Sequence, residues 1–155
     1  MKKDSNWAVV TGASSGIGLE FARIFARNQV NLVLVARNIN ALNSLSKELK
    51  THCKIKVLVY ALDLSEISNA EVLVTDLDKR KIKPKYLINN AGFGDFGTFK
   101  ETSWDKELKM INVNIIALTY LTKMFITRML GGERSYIVNV ASGAAFQPGP
   151  LMAVY

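Results

Sequence analysis

The sequence of 155 residues has a single cysteine, Cys53, and a single histidine, His52. One cysteine cannot form an internal disulfide, so the sequence does not encode a small secreted domain stapled by disulfides. One residue of each kind also excludes a zinc cluster of His and Cys ligands, and we expect no metal site. No signal-peptide pattern opens the sequence, and we therefore expect a cytoplasmic protein.

Long apolar runs are also missing, because no such run approaches the ~20 residues that a membrane span needs. We therefore expect no membrane partner. A hydrophobic fraction of 49% with 21% charged residues is typical of a globular chain. The length fits one domain, residues 1–155, and a domain of this size buries roughly 70% of its unfolded surface.

The net charge of +7 would suit a nucleic acid or a membrane surface as partner. Much of the positive excess lies in the run Lys79–Lys85, a pattern typical of a solvated helix end and loop. No aromatic residues interleave that run, so it does not indicate a base-stacking surface and we expect no nucleic-acid partner. We interpret the charge as a source of solubility and of attraction for an anionic cofactor.

Apolar residues recur with a period that alternates between strand and helix along the chain. Strands are predicted at residues 7–10, 30–36, 55–62, 86–88 and 136–140, and helices at residues 17–25, 42–49, 68–77 and 102–129. This alternation predicts βαβ units, and hence an α/β fold in which a doubly wound parallel sheet carries helices on both faces.

The start of the third helix carries a capping pattern. Ser68 with Glu71 forms a candidate capping box, and Ile67 with Val72 forms its candidate hydrophobic staple. From this start the helix is predicted to run through Leu77.

The long fourth helix is predicted to be capped by Thr102 and Asp105 and to end at Gly131-Gly132. Steps of three and four residues predict one continuous apolar stripe along it, made of Leu108, Ile111, Ile115, Leu118, Thr122, Phe125 and Met129.

The first strand and first helix are joined by a glycine-rich turn, Thr11-Gly12-Ala13-Ser14-Ser15-Gly16-Ile17-Gly18. Such a turn lets backbone N–H groups and the helix dipole meet a pyrophosphate without interference from side chains. Glycines also simply make tight turns, but here a strand precedes the motif and a helix follows it, which favours nucleotide binding. The candidate cofactor-binding residues of the turn are Gly12, Ser14, Ser15, Gly16, Ile17 and Gly18.

Arg37 ends the second strand, where dinucleotide sites place the group that reads the adenosine ribose. No acidic residue lies nearby to accept from a ribose 2′-OH, and a guanidinium can hold a 2′-phosphate, helped by the Ser14 hydroxyl. NADP is therefore preferred to NAD, unless Arg37 is an ordinary solvated residue at a strand end. Asp63 ends the third strand and would either accept from an adenine amino group or cap the following turn.

The glycine turn is followed by three further motifs in order. Asn89-Asn90-Ala91-Gly92 follows the fourth strand, Asn114 lies in the fourth helix, and Ser142 lies thirteen residues before Tyr155. With these motifs the whole chain resembles the short-chain dehydrogenase/reductase family, of the type called classical. The resemblance implies a Rossmann-type fold, with about five of the family's seven strands present.

The resemblance also implies hydride transfer between a nicotinamide cofactor and a small carbonyl or alcohol substrate. Tyr155 would exchange the proton, Ser142 would hydrogen-bond the substrate oxygen, and Asn114 would hold a water in a proton relay. The cofactor's ribose and pyrophosphate would be lined by Asn90, Ala91 and Gly92. Phenylalanines near Gly94 indicate an apolar substrate, namely Phe93, Phe96 and Phe99.

The family signature is Tyr-x-x-x-Lys, in which the Lys ammonium lowers the pKa of the phenol and binds the nicotinamide ribose. This sequence stops at Tyr155. We therefore expect the amino-terminal part of a domain that is incomplete at its carboxyl end, with a homo-oligomer possible in the full-length form. The alternative is a truncated relative that binds NADP(H), or pairs with a partner, without turning over substrate.

Overall fold

The computed structural model describes residues 6–130 and 134–155. Within these residues one sheet is formed by five strands, β1 (Trp7–Thr11), β2 (Asn31–Ala36), β3 (Val57–Ala61), β4 (Tyr86–Asn89) and β5 (Tyr136–Asn139). Every pair is parallel, and the strand order is β3-β2-β1-β4-β5. The order reverses between β1 and β4, which opens a crevice at the carboxyl ends of the strands. The predicted doubly wound, Rossmann-type sheet is confirmed.

Helices cover both faces of this sheet. They are α1 (Gly16–Arg27), α2 (Ile39–Cys53), α3 (Ile67–Lys79), α4 (Trp104–Ile111), a π segment (Asn112–Ala117) and α5 (Leu118–Met129). α1 and α2 bury their apolar residues in one core, and α3 and α5 bury theirs in a second core on the opposite face.

Strand β2 shows why the central strands of the sheet are nearly continuous apolar runs in the sequence. Leu32 and Leu34 belong to the core under α1 and α2, whereas Val33 and Val35 belong to the core under α3 and α5. Successive side chains of a strand point to opposite faces, so a strand covered on both faces needs apolar residues at every position. All six residues of β2 are buried.

The predicted start of the third helix is wrong. α3 begins at Ile67, so Ser68 lies inside the helix rather than at its N-cap and forms no capping box with Glu71. Ile67 and Val72 are 38% and 54% exposed, and therefore form no buried staple. Glu66 is the N-cap, and the turn before the helix is held by Asp63, whose Oδ1 accepts from the Ser65 N–H.

The predicted caps of the fourth helix also differ from the structure. Ser103 is the N-cap, and Asp105 lies in the first turn. The Thr102 hydroxyl lies before the cap and donates to the carboxylate of the buried Glu107 at 2.5 Å. The N-cap thus lies one residue later than predicted, because Thr102 bonds a side chain rather than the helix backbone. The predicted stop at Gly131-Gly132 lies outside the described residues.

The long helix is interrupted by the π segment, which shifts its buried face. The buried apolar positions are Met110, Val113, Ala117, Leu121, Phe125 and Met129. Leu108 and Ile115 of the predicted stripe are 40% and 56% exposed. Because π hydrogen bonds join residues five apart and widen the turn, steps of four residues keep one face through this region. The predicted stripe is wrong in its first half and correct at Phe125 and Met129.

By length and composition alone, the helix Trp104–Met129 could cross a membrane, with a mean hydropathy of 1.3 over its most apolar window and 28% of that window buried. One such helix is weak support for a membrane span, because core helices have the same composition. Here Leu121, Phe125 and Met129 pack into the core on the sheet.

Candidate functional site

The carboxyl ends of the strands open onto one cleft of about 720 Å³. This volume lies within the range of small-molecule and cofactor sites. Most of the predicted site residues line it, namely Gly12, Ser14, Ser15, Ile17, Arg37, Asp63, Asn90, Ala91, Gly92, Asn114, Ser142 and Tyr155. Gly16 and Gly18 do not line the cleft. They matter for the backbone conformation of the glycine turn and for the packing of α1 against it.

The glycine turn needs its glycines for two different reasons. Gly12 and Gly16 have φ values of 65° and 54°, a region that residues with a side chain rarely adopt. A Cβ at Gly18 would lie 2.3 Å from the Gly12 carbonyl oxygen and 2.5 Å from Asn90 Nδ2. Helix α1 can therefore pack directly against the turn only with glycine at position 18.

Helix α1 points its amino end at the cleft. Ser15 is the N-cap, and in the part of the chain that the structure describes its side chain makes no hydrogen bond to the helix. Ser14, Ser15 and Ile17 line the cleft beside this end. The N–H groups of a first helical turn lack partners within the helix, and together with the helix dipole they attract an anion. This geometry fits a pyrophosphate.

A buried hydroxyl ties the glycine turn to the segment after β4. Thr11 Oγ1 accepts from the backbone N–H groups of Asn90 and Ala91, both at 2.9 Å, and donates to the Ile88 carbonyl at 3.1 Å. In return the Asn90 side-chain amide donates to the Thr11 carbonyl at 2.9 Å and to the Gly12 carbonyl at 3.3 Å. Thr11 belongs to the glycine-turn motif, but no role for it can be predicted from the sequence, because its partners lie 77 or more residues away.

Arg37 and Asp63 lie just beyond the carboxyl ends of the neighbouring strands β2 and β3. Arg37 is exposed at the end of β2 and lines the cleft. Asp63 Oδ1 accepts from the Ser65 N–H at 3.0 Å. Burial raises the pKa of Asp63, but the hydrogen bonding with Ser65 and the charges of Arg37 and Lys109 outweigh burial and hold this pKa below its usual range. Asp63 therefore caps the turn and also presents a carboxylate to the cleft.

Asn114 lies within the π segment and hydrogen-bonds the loop after β4. Its Oδ1 accepts from the Phe93 N–H at 3.1 Å, and its Nδ2 donates to the Phe93 carbonyl at 2.9 Å. A Cβ at Gly92 would approach Asn114 Oδ1 to 3.0 Å, so the loop passes close to this side chain. π segments are frequent at functional sites.

Ser142 and Tyr155 both line the cleft. Ser142 precedes a short 3₁₀ turn (Gly143–Ala145), and its Oγ accepts from the Ala144 N–H at 3.2 Å. The Tyr155 side chain lies against Gly94 and is 39% exposed as a residue. The two hydroxyl-bearing residues thus line the same cleft as Asn114.

Asn89 forms a further polar contact that the sequence analysis did not identify. Asn89 is 3% exposed. Its Nδ2 donates to Thr122 Oγ1 and to Asn139 Oδ1, both at 2.9 Å. Asn139 ends β5 and lines the cleft. Asn89 therefore connects α5 to the strand that leads to Ser142. The signal in the sequence was an asparagine at the end of each of two predicted strands, Asn89 after the fourth and Asn139 in the fifth.

Comparison with known proteins gives the family context. The family model for short chain dehydrogenase matches residues 6–155. A very-long-chain 3-oxoacyl-CoA reductase-like protein of Arabidopsis thaliana is 34% identical over 100% of this chain and 51% of its own length. The human very-long-chain 3-oxoacyl-CoA reductase is 29% identical over 96% of this chain and 48% of its own length. The chain thus spans about half the length of these relatives.

Solved structures show the same fold. A short-chain dehydrogenase from Sphingobium yanoikuyae in complex with NADPH has a TM-score of 0.89 and 32% identity, covering 97% of this chain and 58% of that one. L-Sorbose reductase from Gluconobacter frateurii, complexed with NADPH and L-sorbose, has a TM-score of 0.89 and 29% identity, covering 98% of this chain and 59% of that one.

Proposed function

Because the chain belongs to the short-chain dehydrogenase family, we propose that it binds NADP(H) and serves the interconversion of a carbonyl and a secondary alcohol. The observation that carries this proposal is the single cleft shared by the Gly12 turn, Arg37, Asn114, Ser142 and Tyr155. Neighbours of the same fold are NADPH complexes, which supports this class of cofactor.

The residues that line the cleft could hold each part of the cofactor. The first turn of α1 and the glycine turn would face the pyrophosphate, Arg37 and Ser14 would take the 2′-phosphate, and Asp63 would accept from the adenine amino group. Asn90, Ala91 and Gly92 would line the ribose and pyrophosphate. When bound, the reduced nicotinamide supplies the hydride.

We assign the proton side of the reaction to Asn114, Ser142 and Tyr155, which line the same cleft. In reduction, Tyr155 donates its phenolic proton to the substrate oxygen, and in oxidation it accepts that proton. The Ser142 hydroxyl donates to the same oxygen and stabilises its developing negative charge. Asn114 would hold a water in a proton relay. These three roles follow the family pattern residue by residue.

For the substrate, we propose a ketone carried on an apolar group, and a 3-oxoacyl thioester is the first to test. The names of the relatives from Arabidopsis thaliana and Homo sapiens support this class, and Phe93 lines the cleft. Residues 1–155 lack the Lys of the Tyr-x-x-x-Lys signature, so we expect no turnover from them alone. A full-length form that continues through that Lys should cause a loss of reduced-nicotinamide absorbance when NADPH and a 3-oxoacyl thioester are added together. NADPH binding by that form without any such loss would instead favour the alternative, a cofactor-binding relative without turnover.

The cofactor preference is tested by Arg37→Ala. Charge-assisted hydrogen bonds are worth about 1.5–3 kcal/mol, so loss of the guanidinium should weaken NADPH binding by roughly 10- to 150-fold. NADH lacks the 2′-phosphate, and its affinity should change by less than about threefold. The measurement is the dissociation constant of each cofactor by calorimetry.

Arg27→Ala is the matched control. It removes the same guanidinium from the last residue of α1, at the end of the helix opposite the turn that faces the cleft. This control should bind NADPH as the unchanged chain does. Equal affinities for NADPH and NADH in the unchanged chain would refute the NADP preference. Failure to bind either cofactor would refute the proposed function.

A further inference from the structure

Two asparagines of the π segment hold two different loops. Asn112 Nδ2 donates to the Ser65 carbonyl at 3.0 Å, in the turn after β3. Two residues later, the Asn114 side chain pairs with both backbone groups of Phe93, in the loop after β4. Residues two apart on a helix do not face each other, so the two side chains can reach separate partners.

The turn that Asn112 holds is also stabilised by two hydrogen bonds of Asp63. Asp63 Oδ1 accepts from the Ser65 N–H at 3.0 Å, and Asn69 Nδ2 donates to the Asp63 carbonyl at 2.8 Å. Ser65 is 4% exposed. Asp63 and Leu64 of this turn line the cleft. A displacement of Ser65 would therefore move the carboxylate that faces the adenine position.

Val113 lies between the two asparagines, is 8% exposed, and also lines the cleft. The π segment thus contributes to the cleft wall while its two amides hold the loops after β3 and β4. The π segment therefore connects the turn that carries Asp63, which is assigned to adenine, with the part of the cleft that contains Asn114.

We infer that Asn112 is a positioning residue that couples the adenine end of the cofactor site to Asn114. This inference rests on the proposed cofactor function and adds a residue to it. Asn112 does not line the cleft, so it acts through Ser65 on one side and through the π segment on the other. Loss of its amide should loosen both loops together.

Asn112→Leu removes the amide at similar side-chain size, and Asn69→Leu is the matched control. Asn69 holds the same turn, but from α3 rather than from the π segment. One hydrogen bond is worth about 0.5–1.5 kcal/mol, so each variant should weaken binding of adenosine 2′,5′-bisphosphate by roughly 2- to 12-fold.

A double-mutant cycle with Asn114→Ala separates the two variants. The effects of Asn112→Leu and Asn114→Ala on the NADPH dissociation constant should be non-additive by more than about twofold, whereas those of Asn69→Leu and Asn114→Ala should add within about twofold. Additive effects in both cycles would overturn the coupling.

A readout without cofactor keeps this inference separate from the proposed function. In the chain alone, Asn112→Leu should speed hydrogen exchange at the Phe93 amide, which donates to Asn114 Oδ1. Asn69→Leu should leave that exchange rate unchanged. Unchanged exchange in Asn112→Leu overturns the inference, while failure of the unchanged chain to bind NADPH overturns the proposed function.

Discussion

Replacing Gly18 by alanine should destabilise the chain by about 3 kcal/mol and abolish measurable NADPH binding. The added Cβ would lie 2.3 Å from the Gly12 carbonyl oxygen and 2.8 Å from the Gly12 carbonyl carbon. These are backbone atoms, so a side-chain rotation cannot relieve the overlap. The Gly12 turn is also held by Asn90, which restricts its movement. The first turn of α1 must then move away from the pyrophosphate position.

The measurement is urea unfolding, with NADPH binding followed by calorimetry. Gly143→Ala is the matched control, because a Cβ there meets nothing within 4 Å. It should change stability by less than about 1 kcal/mol. Gly16→Ala is intermediate, since its surroundings are open but its φ of 54° costs a side chain about 1–2 kcal/mol. A Gly18→Ala chain as stable as the unchanged one would contradict the close approach of α1 to the turn.

The second large effect is expected at Thr11. Thr11→Val keeps the side-chain shape but removes the hydroxyl that serves the N–H groups of Asn90 and Ala91. Thr11 is 2% exposed, so water has little access to the position that its hydroxyl would leave. An unsatisfied buried polar group costs about 1–3 kcal/mol, and the loss of both bonds should cost about 3 kcal/mol in the free energy of unfolding.

Thr11→Ser retains the hydroxyl and loses only a methyl group, which is worth about 1 kcal/mol. It should therefore be clearly more stable than Thr11→Val in urea unfolding. NADPH binding should follow the same order, because the hydroxyl joins the glycine turn to the Asn90–Gly92 segment of the cleft. Equal stability of the two variants would show that the methyl group, not the hydrogen bonding, matters at this position.

The sequence predicted the sheet well because a strand covered on both faces leaves a strong local signal. The apolar run before the glycine turn predicted β1, and that at residues 30–36 predicted β2 to within one residue. Helix ends were predicted less well. Ser68 and Thr102 match capping residues by type, yet Glu66 is the N-cap of α3 and Thr102 donates to Glu107. Which group a hydroxyl bonds depends on which groups meet in space.

By itself the sequence determined that strands alternate with helices, that a glycine turn opens α1, and that Arg37, Ser142 and Tyr155 follow at suitable spacings. Local periodicity and backbone freedom decide these features, so they can be read along the chain. Only the tertiary structure decided that Thr11 bonds Asn90, that the long helix contains a π segment, and that Asn112 reaches Ser65. These contacts join residues between 47 and 79 positions apart. Their energy comes from pairing buried polar groups across elements, and no local pattern records which partners the fold brings together.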